Sequence, residues 1–331
     1  MSRITHYGKL LGSSLILLLV TVILVFLLLQ LAPGNVVDTM IGQTAVSPEF
    51  RAALEARYGL NDPLWQRMLI YIGHVAIGDF GTSATSNQPV FTLILQRFVN
   101  TLYLVVPALI LSSVLGIALG AIAARTRSKL LDKAISYISL AAFSIPTFWL
   151  GMMLVLVFSI YLGWLPAQGM KDYGTSAPVS LSHLILPVIA LALSQLAFTV
   201  RVMRTTTIEV LGQDYIDTAR SKGLNRTQVV RHHAILNSML PMISIIGYNA
   251  AWAVTGVLFV EKVFGWPGMG LLIYDAINAR DTMLVMGIVI FSAALVIIIN
   301  IITDVAYGWA DPRLRAPRRV ETRARAEARA A

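Results

Sequence analysis

Residues 205–241 read TTTIEVLGQDYIDTARSKGLNRTQVVRHHAILNSMLP. This polar run lies between two apolar blocks and reads as two short helices meeting at a sharp corner. The first carries Glu209, Asp214 and Asp217 toward its start and middle, with Arg220 and Lys222 at its end, which complements a helix dipole. Gly223 supplies the left-handed residue that closes a helix, where a Cβ would be penalised. Asn225 follows as an N-cap with Gln228 three residues on, and Leu224 and Val229 stand where a hydrophobic staple stands. The expectation is a helix–turn–helix elbow hung beneath a bilayer.

The bilayer follows from composition. The chain has 331 residues, of which 56% are hydrophobic and 13% charged, and its mean hydropathy is +0.72, outside the range of soluble domains. With no cysteine there is no disulfide, thiolate metal site or cysteine nucleophile. Leu10 to Leu31 is long enough to span, at about 33 Å as helix against a hydrocarbon core of roughly 30 Å. A cleaved signal peptide would have an apolar core of only about 7–15 residues. Further spans are expected at 102–123, 136–161, 183–203, 240–260 and 283–307, making an all-α protein of six spans.

The chain divides into an N-terminus with first span (1–31), an extracytoplasmic loop region (32–101), a five-span transmembrane unit (102–310) and a basic tail (311–331). In the loop region Ser47-Pro48-Glu49 starts a helix that Gly59 ends, and Asn61-Asp62-Pro63 starts another running toward Gly78. Pro89 opens an amphipathic segment leading into the membrane. Gly116 and Gly120 form a small-xxx-small pair that lets a neighbouring helix approach. Pro146 and Pro187, inside spans, are expected to kink them.

Lysine and arginine set the orientation. The N-terminus, the 124–134 loop, the 204–239 region with Arg201, and the tail hold 19 of the 26 bases. Both termini and the elbow are therefore expected on the cytoplasmic side. The net charge of +9 is accounted for by orientation, and no nucleic-acid partner is expected. Ala219, Gly223, Leu224 and Val229, with Arg226 and Arg231, also fit the loose pattern of a DNA-reading helix–turn–helix. Spans beginning within a few residues on both sides speak against it.

Several chemistries are absent. No GxxxxGK[ST] loop cradles nucleotide phosphates, and no HExxH binds zinc. His232 and His233 are adjacent and point to different helix faces. Ion-coupled carriers keep carboxylates deep in their spans, whereas the six spans here hold one, Asp304, read as an interfacial group near Arg313 or a helix end. Energy for transport is expected to enter from outside the chain, through the elbow.

Residues 215–241, YIDTARSKGLNRTQVVRHHAILNSMLP, resemble the cytoplasmic EAA loop of ABC importer permeases of the dipeptide/oligopeptide/nickel type. Tyr215, Thr218, Ala219, Arg220, Lys222, Gly223, Leu224, His233, Ala234, Asn237, Leu240 and Pro241 fall on matching positions. Asp217 stands where the general motif has Glu, and Thr218 where it has its first Ala. Leu31-Ala32-Pro33-Gly34, Tyr58 to Trp65, Gly78 to Ser83, Leu165 to Gly169, FGWPGMG (264–270) and Ala310 to Arg313 are similar to other elements of that family.

The resemblance implies a bacterial or archaeal inner-membrane permease. Its partners would be a homologous permease, two ABC ATPases and an extracytoplasmic substrate-binding protein. No cofactor would be bound by this chain, ATP and Mg²⁺ belonging to the ATPases, and the chain would not itself be an enzyme. Tyr215, Asp217, Thr218, Ala219, Arg220, Lys222, Gly223 and Leu224 would form the ATPase-coupling loop. Ser244, Tyr248, Trp252 and Thr255 share a face of the fifth span, either as a pathway wall or as interhelical hydrogen-bonding groups. Glu261 and Asp275, on the outer side, either meet the binding protein or are ordinary surface charges. Peptides are the expected cargo, with nickel, an opine, a glutathione-like molecule or an oligosaccharide as alternatives. The rival of another class is an ion-coupled carrier or channel.

Overall fold

A computed structural model describes residues 3–30, 41, 47–57 and 61–310. The segments 31–34, 58–60 and 311–331, with their motifs and the basic tail, lie outside the described residues, as does the side chain of Thr255. Among the described residues the regular elements are helices: α1 (Arg3–Gln30), α2 (Pro48–Arg57), α3 (Leu64–Ala76), α4 (Val90–Arg125), α5 (Lys129–Ser144), α6 (Thr147–Leu154), α7 (Leu181–Leu211), α8 (Asp214–Ser221), α9 (Arg226–Val229), α10 (Ile235–Gly256), α11 (Leu258–Val263), α12 (Met269–Asn278) and α13 (Thr282–Ala310). The α2 start is capped as expected, Ser47 Oγ accepting from Phe50 N at 3.2 Å.

Among the described residues four helices are long and apolar enough to cross a membrane: α4, α7, Thr227–Val254 and α13. A fifth crossing exists if α5 and Thr147–Tyr161 count as one, and Gly12–Leu28 of α1 is a shorter apolar helix. The kink expected at Pro146 within 136–161 is present as a full break, the two pieces meeting at 97°. Proline at 146 has no N–H to donate and its ring disfavours helical backbone at the residue before it. Ile145 is accordingly extended (φ −80°, ψ 125°) and Pro146 caps the next helix. Pro187, by contrast, lies within α7, which continues past it to Leu211.

The second span is longer than 102–123. α4, opened by Pro89, has 36 residues, about 54 Å, well over the roughly 30 Å of a hydrocarbon core. Its main partner is α7. A Cβ on Gly116 would sit 2.6 Å from Thr199 Cβ, and one on Gly120 2.7 Å from Met203 Cβ and from the Val200 carbonyl. Lipid offers no hydrophobic drive to pair helices, so such close backbone contact holds the pair by dispersion.

Two apolar clusters hold the bundle together. One gathers Leu104, Leu186, Leu191, Phe264 and Trp266; the other ties Val22 of α1 to Val90, Ile94, Leu272 and Leu284. Much of the remaining surface is apolar, with Leu15, Ile138 and Ile302 all more than 60% exposed. Lipid or another subunit must cover it.

Candidate functional site

The elbow is built as a chain of local caps. α8 has Asp214 and Asp217 in its first turn and Arg220 in its last, matching the dipole. Gly223 has φ +86° and completes a Schellman closure, with Gly223 N donating to Arg220 O at 2.9 Å and Leu224 N to Ala219 O at 3.4 Å. Asn225 N then donates to Gln228 Oε1, and Gln228 N to Asn225 Oδ1, each at 2.9 Å. That reciprocal box contributes about 1 kcal/mol. Val229, Ile216 and Ala219 are buried together, with Leu211 and Leu224 packed on them.

Two details differ from the expected pair of short helices. Glu209 belongs to the end of α7, because the chain turns at Gly212 before α8 begins. The second helix is also not short. α9 runs through a π-helical turn at Val230–Ala234 into α10, so the far arm of the corner and the apolar helix Thr227–Val254 are one continuous piece.

The residues expected to form a coupling loop divide by direction. Tyr215, Asp217, Thr218, Arg220, Lys222 and Gly223 are exposed, whereas Ala219 is buried and Leu224 half-buried. Asp217 and Arg220 pair across one turn at 3.0 Å. Asn237 Nδ2 donates to the Tyr215 hydroxyl at 3.1 Å, tying α8 back to α10. Behind the elbow, Arg204 grips Asp132 with two hydrogen bonds of 2.6 and 2.7 Å, joining α7 to α5. Neither contact follows from local spacing, since the partners lie 22 and 72 positions apart.

Ser244, Tyr248 and Trp252 do share a face of α10, and they line a cavity of about 640 Å³. Its opposite wall is α13, which contributes Asn300, Thr303 and Asp304. Asp304 thus faces the polar stripe. The signal was present as Asn300 and Asp304, one turn apart in an otherwise apolar helix. Gly247 permits the approach, since a Cβ there would collide with the Thr303 side chain.

Glu261 is corrected. It is not a surface charge but is fully buried, at the base of the FGWPGMG loop. Thr101 Oγ1 donates to its Oε1 at 2.7 Å and Leu271 N to its Oε2 at 2.9 Å, while Thr101 Oγ1 itself accepts from Met269 N at 2.8 Å. Burial pushes the carboxyl up to about 7, against the opposing pull of Thr101 and the Leu271 and Gly270 amides. Gly268 leaves room for that carboxylate, since a Cβ there would strike it. Trp266 Nε1 donates to Asn100 O at 2.8 Å and Asn100 Nδ2 to Pro267 O at 2.8 Å. The Leu165–Gly169 stretch docks on the same loop through Gly169 N and Phe264 O, 2.9 Å apart. Asp275 is exposed. Among the described residues no three His, Asp or Glu side chains gather as metal ligands.

The model of a family described as "Binding-protein-dependent transport system inner membrane component" matches residues 116–316. The chain belongs to this family. Relatives of this transport component agree over nearly the whole length. The chain is 36% identical to the di/tripeptide transport system permease protein DppB of Pseudomonas aeruginosa, over 88% of this chain and 93% of that one. It is 37% identical to the dipeptide transport system permease protein DppB of Escherichia coli K12, over the same shares. With a putative peptide permease protein of Brucella suis the identity is 40%, over 90% and 95%. In fold it is similar to a chain of the MetNI methionine ABC transporter in an inward-facing conformation, with TM-score 0.54 and 18% identity over 66% of this chain and 96% of that one. The matched region of this membrane component takes in both glycines of the α4–α7 contact, the elbow and the cavity face.

Proposed function

We propose that this chain is the permease subunit of an ATP-driven importer of di- and oligopeptides. One observation carries the reading. The elbow is fixed by backbone caps at its corner, shows Tyr215, Asp217, Thr218, Arg220 and Lys222 outward, and continues without a break into the span that bears Ser244, Tyr248 and Trp252. A push on α8 is thereby passed to the cavity wall, through the corner and through the Tyr215–Asn237 tie. The names of the relatives support peptides as cargo.

On this reading α8 docks on one of two partner ATPases, which bind ATP and Mg²⁺ and do the hydrolysis, so the chain needs no catalytic site or cofactor of its own. A second, homologous permease covers the open α10–α13 face, and a substrate-binding protein delivers peptide from outside. The bent pair and Gly12–Leu28 each count as one crossing beside the four long helices, giving six. The placement of bases puts both termini and the elbow in the cytoplasm of a bacterial or archaeal cell. Residues 32–101 are then extracytoplasmic, 102–310 form the transport unit, and 311–331 are a cytoplasmic tail.

The test is uptake of a radiolabelled dipeptide by cells lacking other peptide permeases and expressing this chain with its partner subunits. Uptake should vanish when the partner ATPases carry Walker-motif mutations. Uptake that persists on an ion gradient would instead establish a secondary carrier.

A further inference from the structure

We propose that Asp304 is the anionic part of a subsite that receives the free N-terminal ammonium of a peptide passing the α10–α13 face, an inference that rests on the peptide-importer reading. The cavity it borders, about 640 Å³, lies within the roughly 300–1,000 Å³ of small-ligand sites. Asp304 is exposed on that cavity, and no ion pair or hydrogen bond engages it among the described residues. A carboxylate on a spanning helix is costly and is kept for a partner, so the occupant is a cation.

The lining chooses among cations. A divalent metal wants a full shell of six or more oxygens, and one carboxylate with an amide and hydroxyls is a thin set for that. A primary ammonium has three N–H donors to place. Asp304, the Asn300 side-chain carbonyl one turn earlier and the Thr303 hydroxyl offer acceptors in that number on one helix face. Across the cavity Tyr248 and Trp252 present aromatic rings, whose faces attract an ammonium. The Ser244 hydroxyl and Val296 suit the peptide bond and an apolar side chain that follow.

The experiment uses the assembled importer in nanodiscs without the substrate-binding protein, and measures equilibrium retention of a tritiated dipeptide and of its N-acetyl derivative. The wild type should retain the free-amine peptide about ten-fold more tightly. Asp304→Asn should abolish that preference while the second permease still co-purifies in equal amount, and Asp304→Glu should restore part of it. Equal retention of the two peptides by the wild type, or an unchanged preference in Asp304→Asn, would overturn the subsite. Loss of the second permease in Asp304→Asn would overturn it too, assigning the carboxylate to the contact between subunits. If no peptide is retained although cells take up dipeptide through the importer, the subsite alone fails. If cells take up none, the peptide reading fails with it.

Discussion

The Tyr215 hydroxyl accepts a hydrogen bond from Asn237 Nδ2 at 3.1 Å, and Asn237 Nδ2 also donates to the His233 carbonyl at 2.8 Å. One amide group thus serves both the start of the fifth span and the arm beneath it. An exposed neutral hydrogen bond is worth about 1 kcal/mol, or about five-fold in the population of the braced arm. Tyr215→Phe and Asn237→Ala should each raise the ATP hydrolysed per peptide imported by roughly that factor. The double variant should be no worse than either single one, the mark of a shared interaction. Additive losses in reconstituted importer would show that the two side chains act separately.

Gly223 offers a cleaner separation of causes. Nothing lies within 4 Å of where its Cβ would stand, yet its φ is +86°. Any penalty for a larger residue is therefore backbone strain, about 1–3 kcal/mol for a left-handed β-branched residue. Gly223→Val should abolish ATP-driven uptake while membrane insertion survives. Gly223→Asn, which tolerates that conformation, should keep most of it. Equal loss in both, at equal membrane abundance, would locate the defect in a docking surface and not in the turn.

Gly120 is the opposite case, ordinary in φ but without space. A methyl there meets Met203 Cβ and the Val200 carbonyl, both at 2.7 Å, and backbone cannot rotate away. Overpacking of this kind costs about 1–3 kcal/mol, so Gly120→Ala should lower the thermal midpoint of the detergent-solubilised chain. Gly120→Leu should prevent stable accumulation. Gly73, in α3 with nothing within 4 Å, serves as the control, and Gly73→Ala should leave the midpoint no lower, since alanine is the better helix former.

These positions also mark how far the sequence could be read. The elbow was legible because each of its devices spans three to six residues: the Gly223 closure, the Asn225–Gln228 box, and the Leu224–Val229 staple. The Gly116–Gly120 pair announced a close approach without naming α7. What escaped depends on chain segments far apart. Pro146 and Pro187 look alike locally, but only the first interrupts its helix, since packing around each decides whether the lost hydrogen bond is tolerated. Asp304 carries no local sign of facing α10, since Ser244, Tyr248 and Trp252 are more than 50 positions away. Glu261 read as an outer-side charge because its partner Thr101 is 160 positions away.

That buried carboxyl gives the chain a pH dependence of definite sign. Its ordinary value is 4.5 and burial raises it to about 7, so the folded state binds a proton that the unfolded state has already released. The associated stability is full below about 4.5 and is lost as pH rises through 7, to the order of 3 kcal/mol. Glu261→Gln imitates the protonated form. Its amide can donate to Thr101 Oγ1 while its carbonyl accepts from the Leu271 N–H, so the variant should fold. The thermal midpoint of the wild type should fall between pH 4.5 and 7.5, and that of Glu261→Gln should stay flat by comparison. Glu261→Ala leaves the Leu271 N–H and the Thr101 hydroxyl facing a void, and should lower the midpoint at every pH. Identical pH profiles for wild type and Glu261→Gln would mean that Glu261 stays ionised in the folded chain, held so by the amides around it.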